Sequence, residues 1–383
     1  MAIYDDMVIK FIEITRYSAY TNELSESEQN RLKILFDDCL FAIIKEYDEE
    51  FMPSLIICNT YNKYSMVMPV KKRENNYKYY ILYDCYLNHI NRLIDALYLD
   101  NNDSAHDIWK LTYELYAEDA LLEGNEILVS YYGLNKVALG TFNVKVKEQI
   151  DLDFILDIQE RYVFGHELGH WIYKVAKNRE SASVFNISFD EEWEQFLENI
   201  RIILCELYEE YESKFKSEEY VELIREQKCL VNENNEIFQE CFADAIAYAI
   251  IFSYIDKIYS GDFNRRLLTG KALFLEMMNL QLLAMQHMYV SKESFEASTS
   301  IRLGFLRNYV RLYFEENEKL FDEMLEETVA RYEERITDIM LECFSELEDR
   351  GDNIYDALID VDGLLNYNKL VGLTDVYQNS DLM

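Results

Sequence analysis

Proline is nearly absent from these 383 residues, which hold two (Pro53 and Pro69), and glycine is scarce at eleven. Little material is left for turn-rich linkers, so a continuous, mostly helical chain is expected. Long apolar runs are missing too, since no uncharged stretch approaches the roughly 18 residues needed to cross a bilayer. The longest candidate, Ala245 to Ile255, is closed off by Asp244 and Asp256 and reads as a core helix. Basic residues are outnumbered, 37 against 72 acidic ones, for a formal net charge of −35. Such a field repels phosphate backbones and anionic lipid, which argues against nucleic acid as a partner, whereas a basic protein segment would be attracted. The opening residues, "MAIYDDMVIKF", show neither a basic stretch before the apolar ones nor a small-residue cleavage site. A cytoplasmic protein without a membrane span is expected. Seven cysteines with no CxxC fit reduced thiols packed as small hydrophobes. No GxGxxG or GxxxxGK[ST] pattern supports nucleotide chemistry.

Half the residues are apolar, and their spacing gives the fold class. Leu32, Leu35, Phe36, Cys39, Leu40, Ile43 and Ile44 recur every three or four residues, one face of a helix. "SLIICNT", "KYSMVMPV" and "YKYYILYD" are rich in β-branched and aromatic residues and read as a three-strand meander ending near Asp84. Helices follow at Leu87 to Leu99 and Asp103 to Tyr116; Ile127 to Val146 is ambiguous and could add one or two strands. A long helix is expected over Leu152 to Lys177, with others at Asp190 to Gln227, Ile237 to Ile255 and Lys271 to Tyr289. Asp190 to Gln227 carries 13 acidic and 4 basic residues, and Arg311 to Arg350 carries 14 and 5. The expectation is an α+β fold, mostly α-helical, with a small mainly antiparallel sheet and additional acidic helices. Residues 1–150 would contribute the sheet. Residues 151–310 would form a helical metal-binding part with an acidic insertion at 178–236, and residues 311–383 an acidic helical region.

The stretch "VFGHELGHWIY", Val163 to Tyr173, holds two of the five histidines four residues apart. HExxH on a helix sets both imidazoles on one face, where they can reach a single zinc ion at about 2.0–2.1 Å. His166 and His170 are the candidate ligands, and Glu167 faces the same site as candidate general base. By composition, about 0.007 chance matches to the pattern are expected. Gly165 and Gly169 interrupt the helix at a cost of roughly 1 kcal/mol each relative to alanine, which simple core packing does not explain.

A third ligand is needed, and its type sorts the possibilities. The positions where a metzincin has its glycine and third histidine hold Tyr173 and Ala176. Cys85 lacks the glycine-rich context of a deformylase ligand. "QECFADAIAYAI", Gln239 to Ile250, offers Glu240 and Asp244 one turn apart in an otherwise apolar helix. Two carboxylates there are costly unless something positive compensates them.

HELGH followed by Glu240-x-x-Ala243-Asp244-x-x-Ala247 resembles the gluzincin metallopeptidases with an ExxADxxA second motif. These include the HtpX/CAAX-prenyl-protease type and the soluble ImmA/IrrE and Lit phage-exclusion types. The resemblance implies a zincin-like core binding one Zn2+ per chain through His166, His170 and Glu240. Asp244 would orient a ligand histidine, and the enzyme would be a zinc endopeptidase acting on a protein or peptide. It covers Val163 to Ala247 and suggests a bacterial stress or phage-defence setting. "SFEASTSIRLGFL" keeps Arg302 where members carry a His-Pro-x-x-x-x-Arg segment, but lacks the His-Pro. Arg302, Tyr248 and His287 are further candidates for contact with substrate or transition state. The substrate edge of the sheet could be "YKYYILYD" or "EILVSYY". The rival from another class is a regulatory or interaction protein with a structural or occluded zinc site.

Overall fold

The run Tyr80, Ile81, Leu82 and Tyr83 is apolar at every position, and each residue is at most 2% exposed. A strand buried on both faces belongs inside a sheet rather than at its margin. In the computed structural model, which describes residues 24–44, 52–58, 63, 65–73, 76–100, 105–146, 149–177, 191–214, 236–260, 262–291, 298–314, 317–358, 366 and 369, that is where it lies. The strands β1 (Ser54–Cys58), β2 (Met66–Arg73) and β3 (Asn76–Asp84) have the order β1-β3-β2. β1 runs parallel to β3, pairing Leu55 with Ile81, and β2 runs antiparallel, pairing Val67 with Ile81. The sheet is therefore mixed, not the expected meander. Pro69, which lacks a ladder donor, sits on the edge strand β2, where it is tolerated.

The helices in chain order are α1 (Glu26–Ile43), before the sheet, then α2 (Tyr86–Leu99), α3 (Ala105–Leu122), α4 (Glu126–Ala138), α5 (Gln149–Lys177) and α6 (Glu191–Lys214). They are followed by α7 (Glu236–Ile258), α8 (Phe263–Ser291), α9 (Ser298–Arg311), α10 (Glu318–Tyr332) and α11 (Asp338–Leu358). A π-helical turn, Glu333–Thr337, joins the last two. The apolar stripe expected of α1 is buried as read, and Ser25 caps the helix by accepting from the Glu28 N–H. Parts of the expected acidic insertion, 178–190 and 215–235, lie outside the described residues, as does Cys229; the other six cysteines are free thiols. No described helix is long and apolar enough to cross a membrane.

The region from Ile127 departs from the strand alternative. It is helix α4, although its Ile, Val and Tyr content favours strands, because both ends are closed by specific turns. Asn125 accepts from the Leu128 N–H at the start, and Gly140 follows the end at φ 78°. The preceding helix ends in a Schellman arrangement, with Gly124 at φ 72° and the Asn125 N–H bonded to the Ala120 carbonyl at 2.7 Å. Local turn chemistry decides the element here. "EILVSYY" is thereby removed as a sheet edge, and "YKYYILYD" is the central strand, so the edges are β1 and β2.

By internal contacts the chain forms two compact units, one of Met1–Asn88, Phe154–Met278 and Glu296–Leu325, the other of His89–Asp153, Asn279–Phe295 and Glu326–Met383. In the second, Asn279 donates to Asp95 and accepts from the Tyr332 hydroxyl within the core. In the first, α5 is fixed against the sheet and α1. Its Phe164 ring lies 4.4 Å from that of Tyr83 and 5.7 Å from that of Phe36. One turn earlier, Glu160 receives both ends of the Arg31 guanidinium, at 2.6 and 2.7 Å, and the Tyr83 hydroxyl at 3.4 Å.

The Glu160 carboxyl is pushed above its ordinary value by burial, which Arg31 opposes. Removing Arg31 leaves a nearly buried carboxylate without its cation. Arg31→Met should lower stability by about 1–3 kcal/mol at pH 7. The acid's folded pKa then rises further above its unfolded value, so its cost is present above the unfolded value of about 4.3 and is relieved as pH falls toward it. Urea unfolding at pH 7 and pH 4.5 should show the deficit narrowing at the lower pH; a deficit independent of pH contradicts this account.

Candidate metal centre

Gly165 and Gly169 are explained by what faces them. A Cβ added to Gly165 would lie 2.8 Å from the Ala247 Cα, and one added to Gly169 would lie 2.6 Å from the Ala243 Cα. Helices α5 and α7 thus touch backbone to backbone along two turns, with glycine on one and alanine on the other. On α7, Glu240, Ala243, Asp244 and Ala247 fall on one stripe, at spacings of three and four residues. That stripe faces His166 and His170 on α5.

The close seam brings the candidate ligands together. His166 Nε2 and His170 Nε2 are 3.0 Å apart. The Glu240 carboxylate spans both, with Oε2 at 3.3 Å from His166 Nε2 and Oε1 at 3.2 Å from His170 Nε2. One donor atom from each residue lies within 4.8 Å of the others, and among the described residues this is the group of His, Cys, Asp or Glu that can hold a metal ion. Two imidazole nitrogens and a carboxylate oxygen form a donor set that can hold a divalent metal ion. Their side chains are 11%, 19% and 26% exposed, so the cluster opens to solvent on the His170 and Glu240 side.

The inner side is closed by hydrogen bonds. His166 Nδ1 lies 2.8 Å from Asp244 Oδ1, an arrangement in which the ring donates from Nδ1 and turns Nε2 toward the cluster. Asp244 is fully buried. It also accepts from the Tyr162 hydroxyl at 2.5 Å and from Arg302 through Nε at 2.9 Å and Nη2 at 2.7 Å. Arg302 Nη1 reaches Glu240 Oε2 at 3.0 Å.

These partners set the charges. Burial alone would raise the Asp244 carboxyl, but Arg302 and His166 outweigh it and hold the group down at about 2. For Glu240, burial is outweighed by the hydrogen bonds to His166 and His170 and by Arg302, and the group lies well below the ordinary carboxylate range. Burial would lower His166, yet its bonds to Asp244 and Glu240 push it up to about 9. Glu167 is buried and its carboxyl is raised by that burial, against the lowering effect of His166 and His170.

Of the other residues singled out from sequence, Tyr248 is fully buried, its ring 5.9 Å from that of Tyr162 and nearly parallel to it. It packs behind the cluster rather than facing solvent. His287 is exposed on α8 and belongs to the other compact unit. Tyr162 escaped sequence reasoning. Its only signal was its place one turn before His166 on the same helix face, among 31 tyrosines. Lys174, one turn beyond His170, donates to the Val67 carbonyl at 3.3 Å and ties α5 to the edge strand β2. Compared with family models, with curated proteins and with solved structures, the chain gives no match in any of the three.

The seam argument predicts opposite effects for one substitution at two helical glycines. Gly169→Ala forces α5 and α7 apart and should destabilise by about 1–3 kcal/mol while weakening metal retention. A Cβ at Gly133, inside α4, meets nothing within 4 Å. Gly133→Ala should therefore stabilise by about 0.5–1 kcal/mol. Thermal unfolding of both variants checks the signs; equal effects would remove the steric explanation.

Proposed function

We propose that the chain is a zinc-dependent endopeptidase of the gluzincin type, acting on a protein or peptide substrate. What carries this reading is the meeting of His166 and His170 with Glu240, which follows His170 only after 69 intervening residues. Chance pairing of HExxH with a distant carboxylate would rarely bring three donors to one point.

A zinc ion in this position would act as a Lewis acid on a carbonyl and lower the pKa of water toward about 7. The protein's own groups do the rest. Glu167, buried and adjacent to the cluster, takes the proton from the attacking water and passes it to the leaving amine. Its raised carboxyl suits a group that must both accept and release a proton. Asp244 keeps His166 in the tautomer that presents Nε2. An extended substrate chain would align along β2, the edge strand that Lys174 links to α5. Basic segments would be drawn to a molecule of net charge −35. The stress or phage-defence setting rests on the motif resemblance alone.

The alternative of a structural zinc in an interaction protein is disfavoured by the donor count. Closed structural sites use four protein ligands, whereas three are found here among the described residues, as in catalytic sites. In a test, purified wild type should carry about one zinc per chain, and His170→Ala should lose it. Glu167→Gln should keep the metal and reduce peptide hydrolysis by at least about 100-fold. The measurements are elemental analysis and the appearance of new peptide termini in cells expressing wild type but not Glu167→Gln. Metal retained with all cellular effects intact in Glu167→Gln would leave the interaction protein as the answer.

A further inference from the structure

Arg302 entered as a candidate for contact with substrate, but every nitrogen of its guanidinium is engaged inside the cluster. Nε and Nη2 grip the two oxygens of Asp244 at 2.9 and 2.7 Å, and Nη2 also reaches the Tyr162 hydroxyl at 2.8 Å. The remaining nitrogen, Nη1, is 3.0 Å from Glu240 Oε2. A guanidinium is planar and rigid, so two bonds to one carboxylate fix the direction of the third nitrogen. Asp244 is itself held by His166 and Tyr162. Nη1 is therefore held beside Glu240 Oε2 for as long as the pair with Asp244 is intact.

We infer that Arg302 is a positioning residue that occupies one oxygen of Glu240 and so leaves that ligand a single oxygen for the metal. This rests on the metal reading above. The consequence concerns coordination number. A glutamate offering both oxygens would add a fifth donor and crowd the place that a catalytic zinc keeps for water or substrate, whereas one oxygen and two imidazoles leave a four-coordinate ion with that place free for exchange. The single link to Oε2 thus separates two uses of the same three ligands. Lysine in place of Arg302 supplies a point charge that can pair with Asp244 or Glu240 but lacks the fork that spans both.

The test uses the full chain and Co2+, whose visible absorption is intense in four-coordinate sites and weak in five-coordinate ones. Wild type should bind one Co2+ with the intense spectrum. Arg302→Lys should bind it about 10–100-fold more weakly and give the weaker spectrum as Glu240 contributes its second oxygen. Unchanged affinity and spectrum in Arg302→Lys, with wild type binding normally, would overturn the inference and leave the metal site standing. No Co2+ or Zn2+ bound by wild type would instead overturn the metal reading itself. Should Arg302→Lys fail to fold, X-ray absorption at the zinc edge of wild type decides: one short carboxylate oxygen supports the inference, two refute it.

Discussion

The approach of α5 to α7 governs the rest of this structure. Helices packed through ordinary side chains keep their axes about 8–10 Å apart. Here glycines at 165 and 169 meet alanines at 247 and 243, and nothing larger than a hydrogen fits on the α5 side. At that separation the short side chain of Asp244 reaches His166 Nδ1. Glutamate, one methylene longer and one turn earlier, reaches past it to the Nε2 atoms of both histidines. The two carboxylates make different contacts because they differ in length and in height along one stripe.

The same seam creates an electrostatic problem. Asp244 is wholly buried and Glu240 mostly so, and an uncompensated carboxylate in such a place is costly by several kcal/mol. The compensation comes from three directions: a histidine of α5, the Tyr162 hydroxyl, and Arg302 of α9, a helix that takes no part in the HExxH or ExxAD patterns. A metal ion would add to a network already held in register. Fixed partners of this kind restrict how each ligand can turn, which is what a site must do to present its donors in one geometry.

How much was legible followed from how local the signal was. The stripe of α1 was readable because that helix buries one face, and the period of that burial is written into the residues. The ends were less legible: α8 begins at Phe263 rather than near Lys271, and the expected end of α6 at Gln227 lies outside the described residues. The strands were readable as strands, but their order was not. β3 is central because its run from Tyr80 to Tyr83 is apolar and buried on both faces, while β2 carries Pro69 and is confined to the edge; that competition is settled between strands, not within one. For α4 the composition misled, because capping by Asn125 and the glycine turns outweighed the preference of its β-branched and aromatic residues.

By itself the sequence determined the presence of His166 and His170 on one helix face, with Glu167 between them in the chain, and of Glu240 and Asp244 on another, since a helical repeat places residues four apart together whatever surrounds them. It also marked Gly165 and Gly169 as costly and in need of a reason. Tertiary structure alone decided that the two faces meet, that Arg302 joins both carboxylates, and that Tyr162 rather than Tyr248 shares Asp244 with His166. Those are contacts between segments of the chain separated by 58 to 140 residues. No local periodicity encodes them, because they depend on how closely two backbones can approach once every other side chain has found its place.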